Sequence, residues 1–159
     1  MKKTIKGKMA EIIDFFLIQC PVSYKKDGRE ITVSLKGLTF EKMHYQKSDL
    51  NKLLNSMRKD IKGNLCFAKS AEEVLRFREE MKNNRVSEFI ACTVHVYLYK
   101  TKSIFYHIRN SFAHGCYEYD EKTKKYTLTA KKGEKYKAVM VLHEKTLIEW
   151  INRFENKNF

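Results

Sequence analysis

Proline and glycine are scarce in this sequence. Only one proline and six glycines occur in 159 residues, and linkers between domains are usually rich in both. We therefore expect a single domain over residues 1–159. The hydrophobic content of 43% is too high for a disordered chain, and a chain of this length buries a sizeable core.

The sequence also lacks an apolar run that could cross a bilayer. The longest run, residues 89–99, contains His95 and falls short of the about 20 apolar residues that a membrane-spanning helix needs. Behind the basic amino terminus, Glu11 and Asp14 interrupt the apolar pattern, which argues against a signal peptide. We expect a cytoplasmic protein with no membrane partner.

Motifs for metals and nucleotides are missing as well. The cysteines at positions 20, 66, 92 and 116 include no pair at the two-residue spacing of a zinc or redox site, so we expect free thiols. No two histidines flank a glutamate on one helical turn, and no glycine-rich phosphate loop occurs. The sequence therefore predicts no metal site and no cofactor.

Acidic residues are outnumbered, with 19 against 32 basic residues, and the net charge is +13. Such a charge favours polyanionic partners, because cationic side chains release the counterions that condense on phosphates. Nucleic acid is the first candidate, and an anionic membrane surface is the rival. A lysine-rich composition without any polyanionic partner is the third interpretation, so charge alone supports a nucleic-acid partner without establishing one.

Apolar residues recur at helical spacing in four segments, residues 5–20, 50–61, 74–77 and 147–154. Ser48 is the expected N-cap of the second segment, and Ser70 with Glu73 has the spacing of a capping box before the third. Between the first two segments, residues 31–35 alternate like a short strand. These patterns predict helices separated by short connections.

The segment that precedes Gly115 decides the fold class. The β-branched residues Thr93, Val94 and Val96 locally favour a strand. However, no helix breaker occurs over residues 88–114, and that length is implausible for one strand. We therefore expect one long helix there.

Beyond Gly115, apolar and polar residues alternate on both sides of the Lys132-Gly133 turn, which predicts a β-hairpin at about residues 116–142. The predicted fold is thus mainly α. It is an up-and-down bundle of four to five helices, with a small β-hairpin inserted between the long helix and a carboxyl-terminal helix.

The end of the long predicted helix gathers several polar side chains. His107, Asn110 and His114 are three and four positions apart, so they share one helix face. Arg109 lies about 100° round the same turn from Asn110. Gly115 follows His114 directly, where a helix commonly ends. An imidazole, an amide and a guanidinium are therefore expected close together at a helix end.

The string of residues 108–115, IRNSFAHG, resembles the signature of HEPN domains, in which an arginine precedes a histidine by a short gap. Asparagine directly after the arginine and glycine directly after the histidine are its most recognisable form. The aromatic pair Phe105-Tyr106 before the string, and the hairpin and short helix after it, resemble small bacterial and plasmid-borne members of that family.

The resemblance implies a metal-independent endoribonuclease in a toxin, phage-defence or RNA-stress role. In such a reaction a 2′-hydroxyl attacks the adjacent phosphorus, and the enzyme supplies an acid, a base and a cation. An imidazole exchanges protons near neutral pH, so His114 is the candidate acid or base. Arg109 would stabilise the phosphoryl charge, and Asn110 would orient His114 or the phosphate.

The resemblance also implies partners. HEPN proteins form dimers that bring two motifs into one cleft, and many toxins of this family are paired with a nucleotidyltransferase-type antitoxin. RNA, a second copy of the chain and such an antitoxin are therefore the expected partners. His107 and Tyr106 are candidate helpers in substrate binding. Candidates for gripping an RNA backbone are the hairpin lysines Lys124, Lys125, Lys131 and Lys132.

Each of these residues also has an ordinary structural interpretation. Arg109 could pair with a carboxylate on another helix, His114 could cap the last carbonyls, and His107 could be a hydrogen-bonded histidine on a partly buried face. The lysines could simply keep a solvated hairpin from pairing at its edge. The corresponding functions are a non-catalytic module that binds RNA or a partner protein, and a structural dimer built on the long helix.

Overall fold

The structure, a computed structural model, describes residues 2–159, with side chains described from residue 7 onward. A π-helical stretch, Asp14–Gln19, continues the first helix. The expected apolar stripe of residues 5–20 is therefore helical over most of its length, although the side chain of Ile5 lies outside the described part. The helices are α1 (Lys2–Ile13), α2 (Lys47–Asp60), α3 (Ala71–Asn83), α4 (Lys100–Ala113) and α5 (Glu144–Asn156).

The described residues also form seven strands. They are β1 (Ser23–Lys26), β2 (Arg29–Thr32), β3 (Leu65–Ala68), β4 (Phe89–Thr93), β5 (Tyr117–Asp120), β6 (Lys125–Lys132) and β7 (Lys135–His143). The last five form one sheet in the order β3-β4-β7-β6-β5. In it β3 and β4 are parallel, with α3 between them in the chain, and the other neighbours are antiparallel.

The strands β1 and β2 form a separate two-stranded hairpin. Its turn residues Asp27 and Gly28 have φ values of 53° and 76°. Positive φ at both central residues is typical of the type I′ turn, whose twist matches that of the flanking strands. The short strand expected over residues 31–35 is only partly confirmed, because β2 ends at Thr32 and residues 33–35 are not in a strand.

The five-stranded sheet has a hydrophobic cluster on each face, and β4 contributes to both. Ile90 and Cys92 join the main cluster, which includes buried side chains of α2, α4 and α5. Phe89 and Ala91 point the other way, into a smaller cluster with Val74 and Met81 of α3. Successive strand residues face opposite sides, so a strand covered on both faces reads as a continuous apolar run.

The prediction of one helix over residues 88–114 is wrong for this reason. A continuous apolar run is compatible with either a buried helix or a fully buried strand, and length alone favoured the helix. The structure instead has β4, a short loop and then α4. Within the loop, the backbone N–H of His95 donates to Ser103 Oγ at 2.9 Å, which ties the loop to the first turn of α4.

The predicted mainly helical, up-and-down bundle is also wrong, because the chain forms a mixed α/β fold around the five-stranded sheet. The expected hairpin strands exist as β6 and β7, joined by the Lys132-Gly133 turn. They are not a small insertion between helices, since β7 pairs with β4 in the middle of the sheet. The short strands β3 and β5 were not predicted from the sequence, although two tyrosines of β5 alternate with acidic residues.

Helix starts were partly predictable. Ser70 caps α3 as expected, since its Oγ accepts from the backbone N–H of Glu73 at 3.2 Å. Ser48 does not cap α2. The N-cap is Gln46, two residues earlier, whose backbone N–H donates to the Asp49 carboxylate at 2.8 Å.

No helix within residues 2–159 combines the length and the apolar character needed to span a membrane. The four cysteines are free, as expected. Burial raises the pKa of the Cys20 thiol to about 12 and also raises the pKa of Cys92. Both are therefore inert packing residues rather than nucleophiles.

Candidate functional site

An open groove of about 1290 Å3 lies where the parallel strands β3 and β4 end. Carboxyl ends of parallel strands are a common ligand-binding edge in α/β proteins. The walls come from these strand ends, the first turn of α3, one face of α4, the tip of the β6–β7 hairpin and β1. We call it the α4 groove, because α4 contributes the side chains Lys100, Tyr106, His107, Arg109, Asn110 and His114.

The α4 groove is strongly cationic. Its lining includes one carboxylate, Glu72, against eight cationic side chains, so it carries a net +7 of the chain's +13 before any histidine is protonated. A groove with one sign of charge concentrates ligands of the opposite sign. Besides Arg109, its cations are Lys26, Lys69, Lys100, Lys131, Lys132, Lys135 and Lys137.

Arg109 stands half-buried in the wall of the groove. Its guanidinium donates from Nη1 to Asn110 Oδ1 at 3.0 Å. Its Nε is buried and has no hydrogen-bond partner. No carboxylate among the described side chains forms an ion pair with Arg109, so the structural pairing considered for it does not occur there.

His114 is the exposed C-cap of α4 and also lines the groove. Gly115, with a φ of 66°, donates to the carbonyl of Phe112 at 3.2 Å, and Cys116 donates to that of Ser111 at 2.8 Å. This pair of bonds is the Schellman motif, which ends a helix with a left-handed glycine. The backbone, not the imidazole, therefore satisfies the last carbonyls, and the ring of His114 makes no hydrogen bond to the described residues.

His107 is only 4% exposed, one turn before Asn110 in the wall of the groove. Its Nε2 lies 2.8 Å from the carbonyl oxygen of Thr93, and a carbonyl can only accept, so Nε2 carries the proton. Burial, reinforced by His95 and Lys137, lowers the pKa of His107 to about 4 despite this bond. The ring is thus neutral at physiological pH, and its Nδ1 has no partner.

An aromatic cluster that was not predicted from the sequence lines the groove beside His107. Tyr24 and Tyr97 are stacked with ring centroids 5.6 Å apart and planes only 3° from parallel. His95 lies 4.9 Å from both Tyr24 and Tyr106. These side chains come from β1, from the loop after β4 and from α4, so the tertiary fold alone brings them together.

The four candidate lysines divide between the two ends of β6. Lys131 and Lys132 line the groove, beside the hairpin tip. Lys124 and Lys125 lie at the opposite end of the strand, next to the β5–β6 turn, and do not line it. Lys135 and Lys137 of β7 also line the groove.

No family model, curated protein or solved structure matches the chain. Within the described part, no three histidine, cysteine, aspartate or glutamate side chains are grouped as metal ligands. The chemistry of the α4 groove is therefore the basis for inferring what the protein does.

Proposed function

We propose that the α4 groove binds single-stranded RNA and that Arg109 and His114 promote its cleavage as a metal-independent endoribonuclease. The observation that carries this proposal is the guanidinium of Arg109, which presents a buried, unpaired Nε–H in a cationic groove and has no carboxylate to neutralise it among the described residues. A buried donor without an acceptor costs stability unless a ligand satisfies it. A phosphate oxygen supplies both the missing acceptor and the missing charge.

The lining of the groove favours RNA over a small anion. Seven lysines surround Arg109 along several elements, which suits a chain of phosphates better than one phosphate. Aromatic rings, of which that of Tyr97 is exposed, also line the groove, and proteins that bind single strands combine such rings with a basic groove.

The proposed reaction is a transesterification within the RNA. The 2′-oxygen attacks the adjacent phosphorus and loses its proton to a base, while the bond to the 5′-oxygen breaks and an acid protonates that leaving group. The products are a 2′,3′-cyclic phosphate and a free 5′-hydroxyl. Arg109 stabilises the charge that develops on the phosphoryl oxygens, and Asn110 orients Arg109 through their hydrogen bond.

His114 is the residue we assign to proton transfer, because it is exposed in the groove and its imidazole makes no hydrogen bond to the described residues. His107 is a poor second proton carrier, since burial holds its pKa at about 4. A second copy of the chain would supply the missing base, and light scattering with size-exclusion chromatography tests whether the protein is a dimer.

This proposal does not depend on membership of the HEPN family. The signature-like string lies at a helix end, but the surrounding fold is α/β rather than the helical bundle that the resemblance implies. The family assignment and the antitoxin partner remain predictions from the string alone. The groove, its charge and the placement of Arg109 and His114 support the ribonuclease hypothesis independently.

The direct test is a cleavage assay with EDTA present, using a single-stranded RNA labelled at its 5′ end. We expect the wild-type protein to release fragments that end in a 2′,3′-cyclic phosphate. Arg109→Ala and His114→Asn should each lower the rate by about 100-fold or more. The matched control is His44→Asn, which removes another exposed histidine outside the groove and should leave the rate unchanged.

A non-catalytic RNA-binding module is the second candidate. It is favoured because the motif has one exposed imidazole, whereas the reaction needs both an acid and a base. It predicts tight, salt-dependent RNA binding that Arg109→Ala weakens, with no cleavage at any pH. Cleavage that persists in both motif variants would instead contradict the proposed roles of Arg109 and His114.

A further inference from the structure

His107 offers a hydrogen-bond acceptor that nothing in the described structure uses. Its Nε2–H is committed to the carbonyl of Thr93 at 2.8 Å, so the lone pair of the neutral ring lies on Nδ1. That atom is buried and has no hydrogen-bond partner. The residue lines the α4 groove, and only 4% of its surface is exposed. An unsatisfied buried acceptor of this kind is rare in native proteins and calls for a donor from a ligand.

His95, in the same wall, offers the complementary donor. Its Nδ1 accepts from the backbone N–H of Tyr97 at 3.2 Å, so the proton of the neutral ring lies on Nε2. Burial, together with the nearby cations Lys132 and Lys26, lowers the pKa of His95 and favours this neutral form. The Nε2–H makes no hydrogen bond to the described residues and is available in the groove.

Aromatic rings flank these two imidazoles. The ring of Tyr106 lies 4.9 Å from that of His95 and 5.8 Å from that of His107, so it is close to both. Tyr97 stacks on Tyr24 and is still 46% exposed, which leaves ring surface free for a further planar group. A flat, polar-edged ligand fits this arrangement, with its faces on the tyrosines and its edge on the histidines.

We infer that this cluster of Tyr97, Tyr106, His95 and His107 is a nucleobase subsite, which binds one unpaired base of the RNA strand held in the groove. Every base has a donor next to an acceptor on its Watson–Crick edge, and these would meet the Nδ1 of His107 and the Nε2–H of His95. A base within a duplex uses that edge for pairing, so the subsite admits only unpaired nucleotides. The inference rests on the proposed function, because the groove must first bind the phosphates of the strand.

The test compares two ligands that differ only in their bases. One is an eight-nucleotide 2′-O-methyl RNA of mixed sequence, which cannot be cleaved, and the other is an abasic strand with the same number of phosphates. We expect wild-type protein to bind the intact strand at least about five-fold more tightly, since stacking of one base on an aromatic ring contributes that much or more. Fluorescence anisotropy at fixed salt measures both Kd values.

Two variants should bring the ratio of the two Kd values close to one without changing the affinity for the abasic strand. Tyr97→Ala removes the exposed ring. His107→Phe keeps a flat ring in the wall and removes the Nδ1 acceptor together with the bond to Thr93. Tyr99→Ala is the matched control, because Tyr99 lies in the same loop and is 61% exposed but does not line the groove.

The outcomes separate the subsite from the proposed function. A wild-type ratio near one, or a ratio that both variants leave unchanged, would overturn the nucleobase subsite while the phosphate-binding groove stands. Failure of the wild-type protein to bind either strand at low salt would overturn the proposed function and the subsite with it. A ratio that falls in Tyr97→Ala and His107→Phe, but not in Tyr99→Ala, supports the subsite.

Discussion

His107 and Arg109 each bury a polar atom without a partner, two residues apart on α4. Such atoms usually lower the free energy of unfolding, by about 1–3 kcal/mol each. Their concentration in the wall of one groove is typical of a binding site, where stability is given up for recognition. Substitutions at these positions are therefore expected to affect stability and binding in different directions.

For Arg109 we expect binding and stability to be uncoupled. Arg109→Met keeps an apolar stem of similar length and removes the unpaired donor and the charge. The free energy of unfolding in urea should stay equal or rise, while the affinity for single-stranded RNA should fall by about ten-fold. A marked loss of stability with unchanged RNA affinity would instead support the structural-dimer hypothesis.

For His107 we expect a pH-dependent loss of stability. Its pKa is about 4 in the folded protein, below the ordinary 6.5 of an unfolded histidine, so the unfolded chain binds the proton more tightly. The stabilisation is complete above about pH 6.5 and is lost as the pH falls toward 4. Between about pH 7.5 and about pH 4.5, the loss due to this residue should be about 2–3 kcal/mol.

Urea unfolding of the wild-type protein and of His107→Gln at both pH values isolates this contribution. The difference between the two proteins should narrow at the lower pH, because glutamine does not titrate. His95 also has a lowered pKa and contributes to the pH dependence of both proteins equally. A difference that does not change with pH would contradict the neutral state that we assign to His107.

The spacing of residues on one helix was enough to predict part of the site. Arg109, Asn110 and His114 do line one groove, because positions three to five apart on a helix lie close together whatever the rest of the fold is. His95 could not be found in this way. It reaches the site from the loop after β4, and only the pairing of that strand determines where the loop lies.

At the scale of elements, the Ser70 cap and the β6–β7 hairpin were predictable, whereas the cap of α2 and the division between β4 and α4 were not. Ser70 and the Lys132-Gly133 turn act through neighbouring backbone atoms, so local sequence is sufficient to place them. The residues of β4 are apolar on both faces because each face packs against a different cluster. That pattern depends on long-range pairing with β7 and is ambiguous in the sequence.

The strand β6 allows a comparison of equal charge changes at its two ends. Lys131→Ala with Lys132→Ala removes two cations from the groove, and Lys124→Asn with Lys125→Ala removes two outside it. Asparagine is chosen at Lys124 because the φ of 58° there suits it. The first pair should reduce the slope of log affinity for single-stranded RNA against log salt by about 1.4, and the second should leave it nearly unchanged.

Anisotropy titrations at several salt concentrations give both slopes. Equal changes in the two double variants would mean that the net charge of the protein, rather than the groove, determines RNA binding. Binding that depends only on Lys124 and Lys125 would place the RNA at the other end of the strand.

For the molecule as a whole, the amino-acid composition indicated a polyanionic partner but not where on the protein it would bind. The groove concentrates a net +7 among its lining residues, leaving +6 for the rest of the chain. This concentration arises because β1, the connection between β3 and α3, α4 and the β6–β7 hairpin meet around one groove. A bundle of helices, as the sequence suggested, would have distributed the same lysines differently.

The central claim is that Arg109 and His114 stand on either side of a phosphodiester bound in the α4 groove. A crystal structure of the protein with an eight-nucleotide 2′-O-methyl RNA tests it most directly. We expect one phosphate oxygen within about 3 Å of Arg109 Nε, and the imidazole of His114 facing the bridging 5′-oxygen of that phosphate. A strand bound elsewhere on the surface, with Arg109 Nε still unpaired in the complex, would contradict the claim.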